Sequence, residues 1–485
     1  MLKESTTEEW LAFEWPGLYF YQMAVPAPAW AYGFAKYTKG LSQMVITHEK
    51  ATSSLYVIRR EYEEMGKEFF PKVKKDPASL YRALKETHQA ALQIFKLGNK
   101  WNFDDFSALS DEELIARHKE LFKWDAQLWQ EGQVQNIIEL HNSNLTEYIR
   151  EMIAREFAKS DITDVFGVLS TGKYRSRLDK QDEDFVKLVK SCRLLKKNNK
   201  DFIKAIDKHW KKYTWMTYGW AGPAIAEKSF LENMLLARKN FQILDEIKKR
   251  HKKKKIALKK QRVLYKKLKG AEKKMAILFR DLLDSKAERV DAHSQTYFLA
   301  GKMNIEIAKR TNLSLNQVLT IPPFDVPEAF KKPKAEQLNK EWDYMLLWYE
   351  GKNSPKKYTG QAARNKFNYV KKRLPKIKAV NELKGELAYP GNVKGRVRLI
   401  LNIKDAGKFK AGEVLVTRIT DPSYVPIMKK AKAIITDIGG ITSHAAIMSR
   451  ELQRPCVVGT RIGTRILKTG DKVAINAEKG IIKKL

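Results

Sequence analysis

Residues 436–459 constrain this chain more than any other stretch, because TDIGGITSHAAIMSRELQRPCVVG can be read element by element. Just upstream, Ala433, Ile434 and Ile435 form a short apolar run rich in β-branched residues, which reads as a buried strand. Gly439 and Gly440 permit a sharp turn and close approach of another group to the backbone. Ser443 suits a helix N-cap, which puts His444 in the first helical turn. Nothing from Ala445 to Leu452 breaks a helix; Pro455 stops it, and Cys456 to Val458 reads as the next buried strand. The first N–H groups of a helix are unpaired and partly positive, so such a terminus holds an anion. A histidine there can take a phosphoryl group on a ring nitrogen while those N–H groups hold its oxygens. A lone histidine more commonly caps or packs, but here the glycine pair, the hydroxyls of Thr442 and Ser443 and the helix start converge on His444. The hydroxyl of Thr436 is a further donor.

These residues resemble the phosphohistidine, or swivelling, domain of PEP-utilising enzymes: phosphoenolpyruvate synthase, pyruvate phosphate dikinase and rifampicin phosphotransferase. The family pattern is Thr-x-x-Gly-Gly-x-x-Ser-His-Ala-Ala-Ile-x-x-Arg-Glu-x-x-x-Pro-x-Val-Val-Gly. Thr436, Gly439, Gly440, Ser443, His444, Arg450, Glu451, Pro455 and Gly459 all stand in it. The resemblance implies that His444 is the phosphoryl carrier. Gly439, Gly440, Thr436, Thr442 and Ser443 would steady the phosphoryl oxygens. Arg450 and Glu451 would orient the site or contact another domain, with a structural salt bridge as the other reading. It also implies a compact β/β/α domain over residues 385–485. Strands are expected at 396–400 and 413–417, a helix at 421–431, and a closing hairpin at 470–482. Asn476-Ala-Glu stands where relatives often carry Asp-Gly, away from His444.

At 485 residues the chain has room for two or three domains, and 43% hydrophobic residues can supply their cores. The net charge is +36, from 92 Lys+Arg against 56 Asp+Glu. That excess points to acidic partners, or to a host with a Lys-rich proteome. Cys192 and Cys456 are the only cysteines, so a reducing compartment is expected, with no disulfide scaffold and no Cys/His metal site. Glu4, Glu8 and Glu9 open the chain where a signal peptide would be basic. The longest apolar run, residues 23–35, contains Pro26 and Pro28 and is too short to span a bilayer. A soluble, cytoplasmic protein without a membrane partner is the expectation.

Residues 1–371 read as a large helical region, with a split near 160. The aromatic-rich first 40 residues are expected to pack over a core. From about 43 to 350 the spacing is helical, with a capping box at Ser110–Glu113, and the resemblance to family relatives implies a short helical element around 342–349. Gly172-Lys173 is not a Walker A loop, because the flanking residues are wrongly placed. His209 and Tyr213 lie one helical turn apart, followed by Trp215. They read as polar groups in a helical core. They are also similar to an element of the helical domain in relatives of rifampicin phosphotransferase, which implies an acceptor pocket at His209, Tyr213 and Trp215. Residues 248–274 read as one dense basic helix and a candidate nucleic-acid surface. No zinc finger, RRM-type aromatic signature or helix-turn-helix accompanies it. A linker is expected at 372–384.

The fold class that results is multidomain α + α/β: a large all-helical N-terminal region, then a C-terminal β/β/α swivelling domain. The helical part shows no βαβ alternation and no phosphate-cradling glycine loop, and the tail after Gly459 is too short for a barrel of ~250 residues. No ATP-grasp or PEP-binding barrel domain is therefore expected in this sequence. ATP or PEP, with Mg²⁺, would belong to the site of an ATP-grasp partner, and no cofactor or metal is assigned to this chain. The expected function is a phosphotransferase component carrying a phosphoryl group on His444 from that partner to a small-molecule acceptor. The alternative is a non-catalytic regulatory or nucleic-acid-binding protein with a vestigial domain and a basic helix.

Overall fold

The computed structural model describes residues 8–16, 18–139, 144–158, 160, 162–192, 200–219, 222–223, 240–351, 353–375, 380–440 and 443–485. The N-terminal region is predominantly helical, and it also contains a five-stranded antiparallel sheet. Its strands are β1 (Trp10–Pro16), β2 (Gln43–Glu49), β3 (Thr52–Ile58), β4 (Met345–Glu350) and β5 (Lys356–Thr359), in the order β1-β3-β2-β4-β5. Helical spacing was expected from about residue 43, and a helix around 342–349; instead 43–49, 52–58 and 345–350 are strands. The reason is burial on both faces. Val45, Ile46, Leu346 and Leu347 are all covered, so neither strand shows the alternation that marks a half-exposed one. The aromatic N-terminus packs into the core as expected: Trp10, Phe13, Phe20, Trp30 and Phe34 are buried.

The described residues between β3 and β4 are mostly helical, apart from a two-stranded pairing of Tyr218–Gly219 with Gly222–Pro223. The elements used below are α1 (Ala78–Trp101), α2 (Asp111–Gly132), α3 (Arg177–Cys192), α4 (Lys200–Tyr213), α5 (Asn240–Lys267) and α6 (Gly270–Thr311). Ser110 caps α2, accepting from the Glu113 N–H at 3.2 Å while the Glu113 carboxylate accepts from the Ser110 N–H at 2.9 Å. The basic stretch is two helices, not one. α5 stops at Lys267, and Gly270 starts α6 with φ of +48°, a turn that a side chain would strain. α6 is 42 residues long and packs on α1 and α2.

The C-terminal region is an eight-stranded sheet. Its strands are β6 (Glu382–Lys384), β7 (Glu386–Tyr389), β8 (Asn392–Leu399), β9 (Val414–Thr417), β10 (Ala433–Thr436), β11 (Cys456–Val458), β12 (Lys472–Asn476) and β13 (Ile481–Lys484). The order is β6-β13-β12-β8-β9-β10-β11-β7, and β8 to β11 run parallel. β9, β10 and β11 are covered on both faces, which is why these three strands read as unbroken apolar runs. Leu415, Ile434 and Cys456 pack on one side, and Val414, Val416 and Ile435 on the other. Helix α7 (His444–Leu452) lies on the first face. The two regions are in contact: Glu14 of β1 pairs with Arg418 and, at 3.5 Å, with Arg465. Among the described residues no helix is long and apolar enough to cross a membrane.

Candidate functional site

The site begins where β10 ends. Gly439 has φ of +117°, and a Cβ there would stand 2.6 Å from the Ser443 Cβ and 2.8 Å from its Oγ. Only glycine fits that approach. The turn seats Ser443 as the cap of α7, with its Oγ accepting from the Ala446 N–H at 3.3 Å. Asp437 braces the turn from below: it is buried, and accepts from the Thr460 hydroxyl at 2.8 Å, the Thr464 N–H at 3.1 Å and the Thr464 hydroxyl.

His444 is half-buried in the first turn of α7. Its Nδ1 lies 2.8 Å from the hydroxyl oxygen of Thr420, a buried residue in the loop after β9. Among the described residues Nε2 has no hydrogen-bond partner. Desolvation lowers the imidazole pKa to about 3, so the ring is neutral at cellular pH.

The ring is not sealed in. It lines a cavity of about 480 Å³ between the C-terminal region and helices of the N-terminal region. His444, Met448 and Glu451 stand on one face of α7, at positions i, i+4 and i+7, and all three line it. Phe185, Trp210, Tyr213 and Met216 give it an apolar and aromatic wall. Burial raises the Glu451 carboxyl, and the Ser176 hydroxyl donates to it at 3.4 Å. On α6, Asp291 lines the same cavity, and burial lifts its carboxyl to about 6.

The other expected residues divide. Thr436 is buried and donates its hydroxyl to the Ile438 carbonyl at 3.1 Å, so it braces the turn. Gly440 is buried, and its carbonyl accepts from the Ser443 N–H at 2.9 Å. Thr442 lies outside the described residues. Arg450 points to a second cavity, of about 300 Å³, that shares Arg250 and Glu451 with the first. Arg450 and Glu451 make no ion pair with each other among the described residues. Of the three residues expected at an acceptor pocket, Tyr213 lines the His444 cavity, and its hydroxyl donates to Asp184 at 2.7 Å. His209 is buried between Phe185 and Tyr213, with ring centroids 6.0 and 5.0 Å away, and desolvation lowers its pKa to about 4. Trp215 packs on Phe95 and donates to the Lys212 carbonyl at 3.1 Å. Neither reaches the cavity. Thr420 and Asp291 were not expected. No local motif marks them; a threonine in the loop leaving an apolar strand is the faint signal for the first. No group of three or more His, Cys, Asp or Glu side chains placed to hold a metal ion occurs among the described residues.

The capped histidine turn is the feature that this sequence shares with the PEP-utilising enzymes it resembles. Residues 409–480 match the family model for the PEP-utilising enzyme mobile domain. A probable phosphoenolpyruvate synthase of Archaeoglobus fulgidus is 51% identical over 100 residues, covering 21% of this chain and 13% of that protein. One from Pyrococcus abyssi is 44% identical over 188 residues, 38% of this chain and 23% of that protein. The phosphoenolpyruvate synthase of Pyrococcus furiosus is 52% identical over 102 residues, 21% and 12%. The chain thus spans less than a quarter of the length of each of these relatives. Among solved structures, Thermococcus kodakaraensis aconitase X matches 21% of this chain and 98% of its own, at 23% identity and a TM-score of 0.19. That value is too low to bear on the fold.

Proposed function

We propose that this chain is a phosphotransferase component in which His444 carries a phosphoryl group between a donor on a partner protein and an acceptor in the cavity. The observation that carries this reading is one ring with two environments. Nδ1 is held by Thr420 at 2.8 Å, and the ring lines a cavity of about 480 Å³ at the start of a capped helix. With Thr420 accepting from Nδ1–H, the Nε2 lone pair is the nucleophile. A neutral imidazole is the form that can attack, and desolvation keeps it neutral. The first N–H groups of α7 then face the oxygens that arrive.

The donor is a Mg²⁺-nucleotide on an ATP-grasp partner, or PEP on a partner that binds it. Phosphoryl transfer needs little covalent help, so positioning and charge neutralisation do most of the catalysis. The domain moves between donor and acceptor, and the acceptor is a small molecule held between α7 and the helical region. The match to the mobile domain supports the movement, and the mixed apolar and polar cavity wall supports the acceptor site.

The test is acid-labile phosphate and intact mass on protein purified from its own host, wild type against His444→Ala. Phosphate on the wild type and none on the variant is the expected result. Equal phosphate in both removes the carrier.

A further inference from the structure

A second reactive group faces His444's cavity from the helical region. Asp291 sits on α6, and its side chain lines the cavity that holds the imidazole. Both of its hydrogen bonds fall on one oxygen: Oδ2 accepts from the Tyr174 hydroxyl at 2.9 Å and from the Arg177 backbone N–H at 2.8 Å. Two donors on one oxygen fix the orientation of the carboxylate. Oδ1 has no protein hydrogen bond among the described residues. A positioned carboxylate with one oxygen anchored and the other available is the arrangement a proton acceptor needs.

Resting on the carrier reading above, the geometry points to Asp291 as the general base that takes the proton from the acceptor's hydroxyl while the phosphoryl group leaves His444. In that step the Nε2–P bond of the Nδ1-protonated phosphohistidine breaks, and its electron pair stays on the ring. A P–O bond forms to the acceptor oxygen, and the hydroxyl proton passes to the Asp291 carboxylate. The ring is left neutral, with Nδ1–H against Thr420. The carboxylic acid then releases its proton to water.

Glu451 lines the same cavity but sits on α7, so it travels with the histidine. Asp291 stays with the acceptor. The phosphohistidine therefore meets this base only when the C-terminal domain is docked, and the phosphoryl group is protected from base-assisted hydrolysis elsewhere.

The groups around Asp291 set its titration. Burial raises its carboxyl to about 6, while the bonds from Arg177 and Tyr174 and the charges of Arg177 and Lys180 pull it down. Across the cavity the Glu451 carboxyl is raised by burial first, and the charge of Asp291 adds to that. A base that ionises just below cellular pH is both available and strong enough to act.

Potassium phosphoramidate phosphorylates histidine without an enzyme, so it serves as the donor probe, and water serves as the acceptor probe. The full chain is loaded, freed of reagent, and its acid-labile phosphate is followed from pH 5 to 9, with His444→Ala as background. Wild type is expected to lose phosphate on the order of 10²-fold faster at pH 8 than Asp291→Asn. Its rate should carry an inflection near pH 6 that the Asn variant lacks. Tyr174→Phe, which removes one donor to the charged form, should move the inflection to higher pH. Asp291→Asn that loads fully and loses phosphate at the wild-type rate, with the wild-type pH profile, overturns the base and leaves the carrier standing. Failure to load His444 above background overturns both.

Discussion

Gly439→Ala tests the turn on which the site is built. Gly439 has φ of +117°, and an added Cβ would lie 2.6 Å from the Ser443 Cβ, inside any real carbon–carbon contact. The backbone conformation alone costs an alanine about 1–3 kcal/mol. Relieving the clash pushes Ser443 off the start of α7, and a lost N-cap costs about 1 kcal/mol more. The sum is about 3 kcal/mol, or about a 150-fold change in a local opening equilibrium at 1.4 kcal/mol per tenfold. The assay is amide hydrogen exchange by mass spectrometry on peptides spanning residues 433–458. Those peptides should exchange about two orders of magnitude faster in the variant, and phosphate uptake at His444 should fall with them. Gly407→Ala is the control, since a Cβ there meets nothing within 4 Å and its φ is ordinary. Unchanged protection in Gly439→Ala would refute the argument that this turn needs a bare backbone.

Two further outcomes follow from the same geometry. Thr420→Val keeps the shape of the side chain but removes the oxygen 2.8 Å from His444 Nδ1; losing that bond costs about 1 kcal/mol or more, so phosphoramidate should load His444 at least about fivefold more slowly. Loading at the wild-type rate would show that Thr420 does not orient the ring. Acid should weaken the fold through buried histidines: His48 and His118 are held neutral by desolvation, each with a pKa lowered to about 4. The folded state takes up those protons later than the unfolded chain, so their contribution is complete above pH 6.5 and falls on acidification. The slope is up to about 1.4 kcal/mol per pH unit for each ring between 6.5 and 4. A urea midpoint that stays constant from pH 7 to 4.5 would contradict this.

Much of the site was legible because its chemistry is local. The β-branched run at Ala433, the glycine pair, the Ser443 cap and the Pro455 stop act on neighbours within a few residues, and each does in space what its identity suggests. The N-terminal sheet was not legible, because β2 and β4 are buried on both faces and pair across nearly the whole helical region. A run such as Met-Leu-Leu-Trp-Tyr carries no period to separate strand from helix. The same limit hid Thr420 and Asp291. Thr420 reaches His444 only because β9 and β10 lie parallel and side by side, and Asp291 only because α6 passes under α7. His209 and Trp215 show the converse. Their spacing put them near Tyr213, but helix packing turns one toward Phe185 and the other toward Phe95.

The order β1-β3-β2-β4-β5 has a consequence for how the chain comes off the ribosome. Strand β2 ends at Glu49, and the strand that covers its open edge begins at Met345. Synthesis at about 5–20 residues per second puts roughly 300 residues, or about 15–60 seconds, between them. For that interval a nascent β2 offers a bare hydrogen-bonding edge with apolar side chains, the kind of template on which chains associate wrongly. Translation that stalls inside the helical stretch would leave such a fragment, and chaperone demand should track the time spent making residues 60–340.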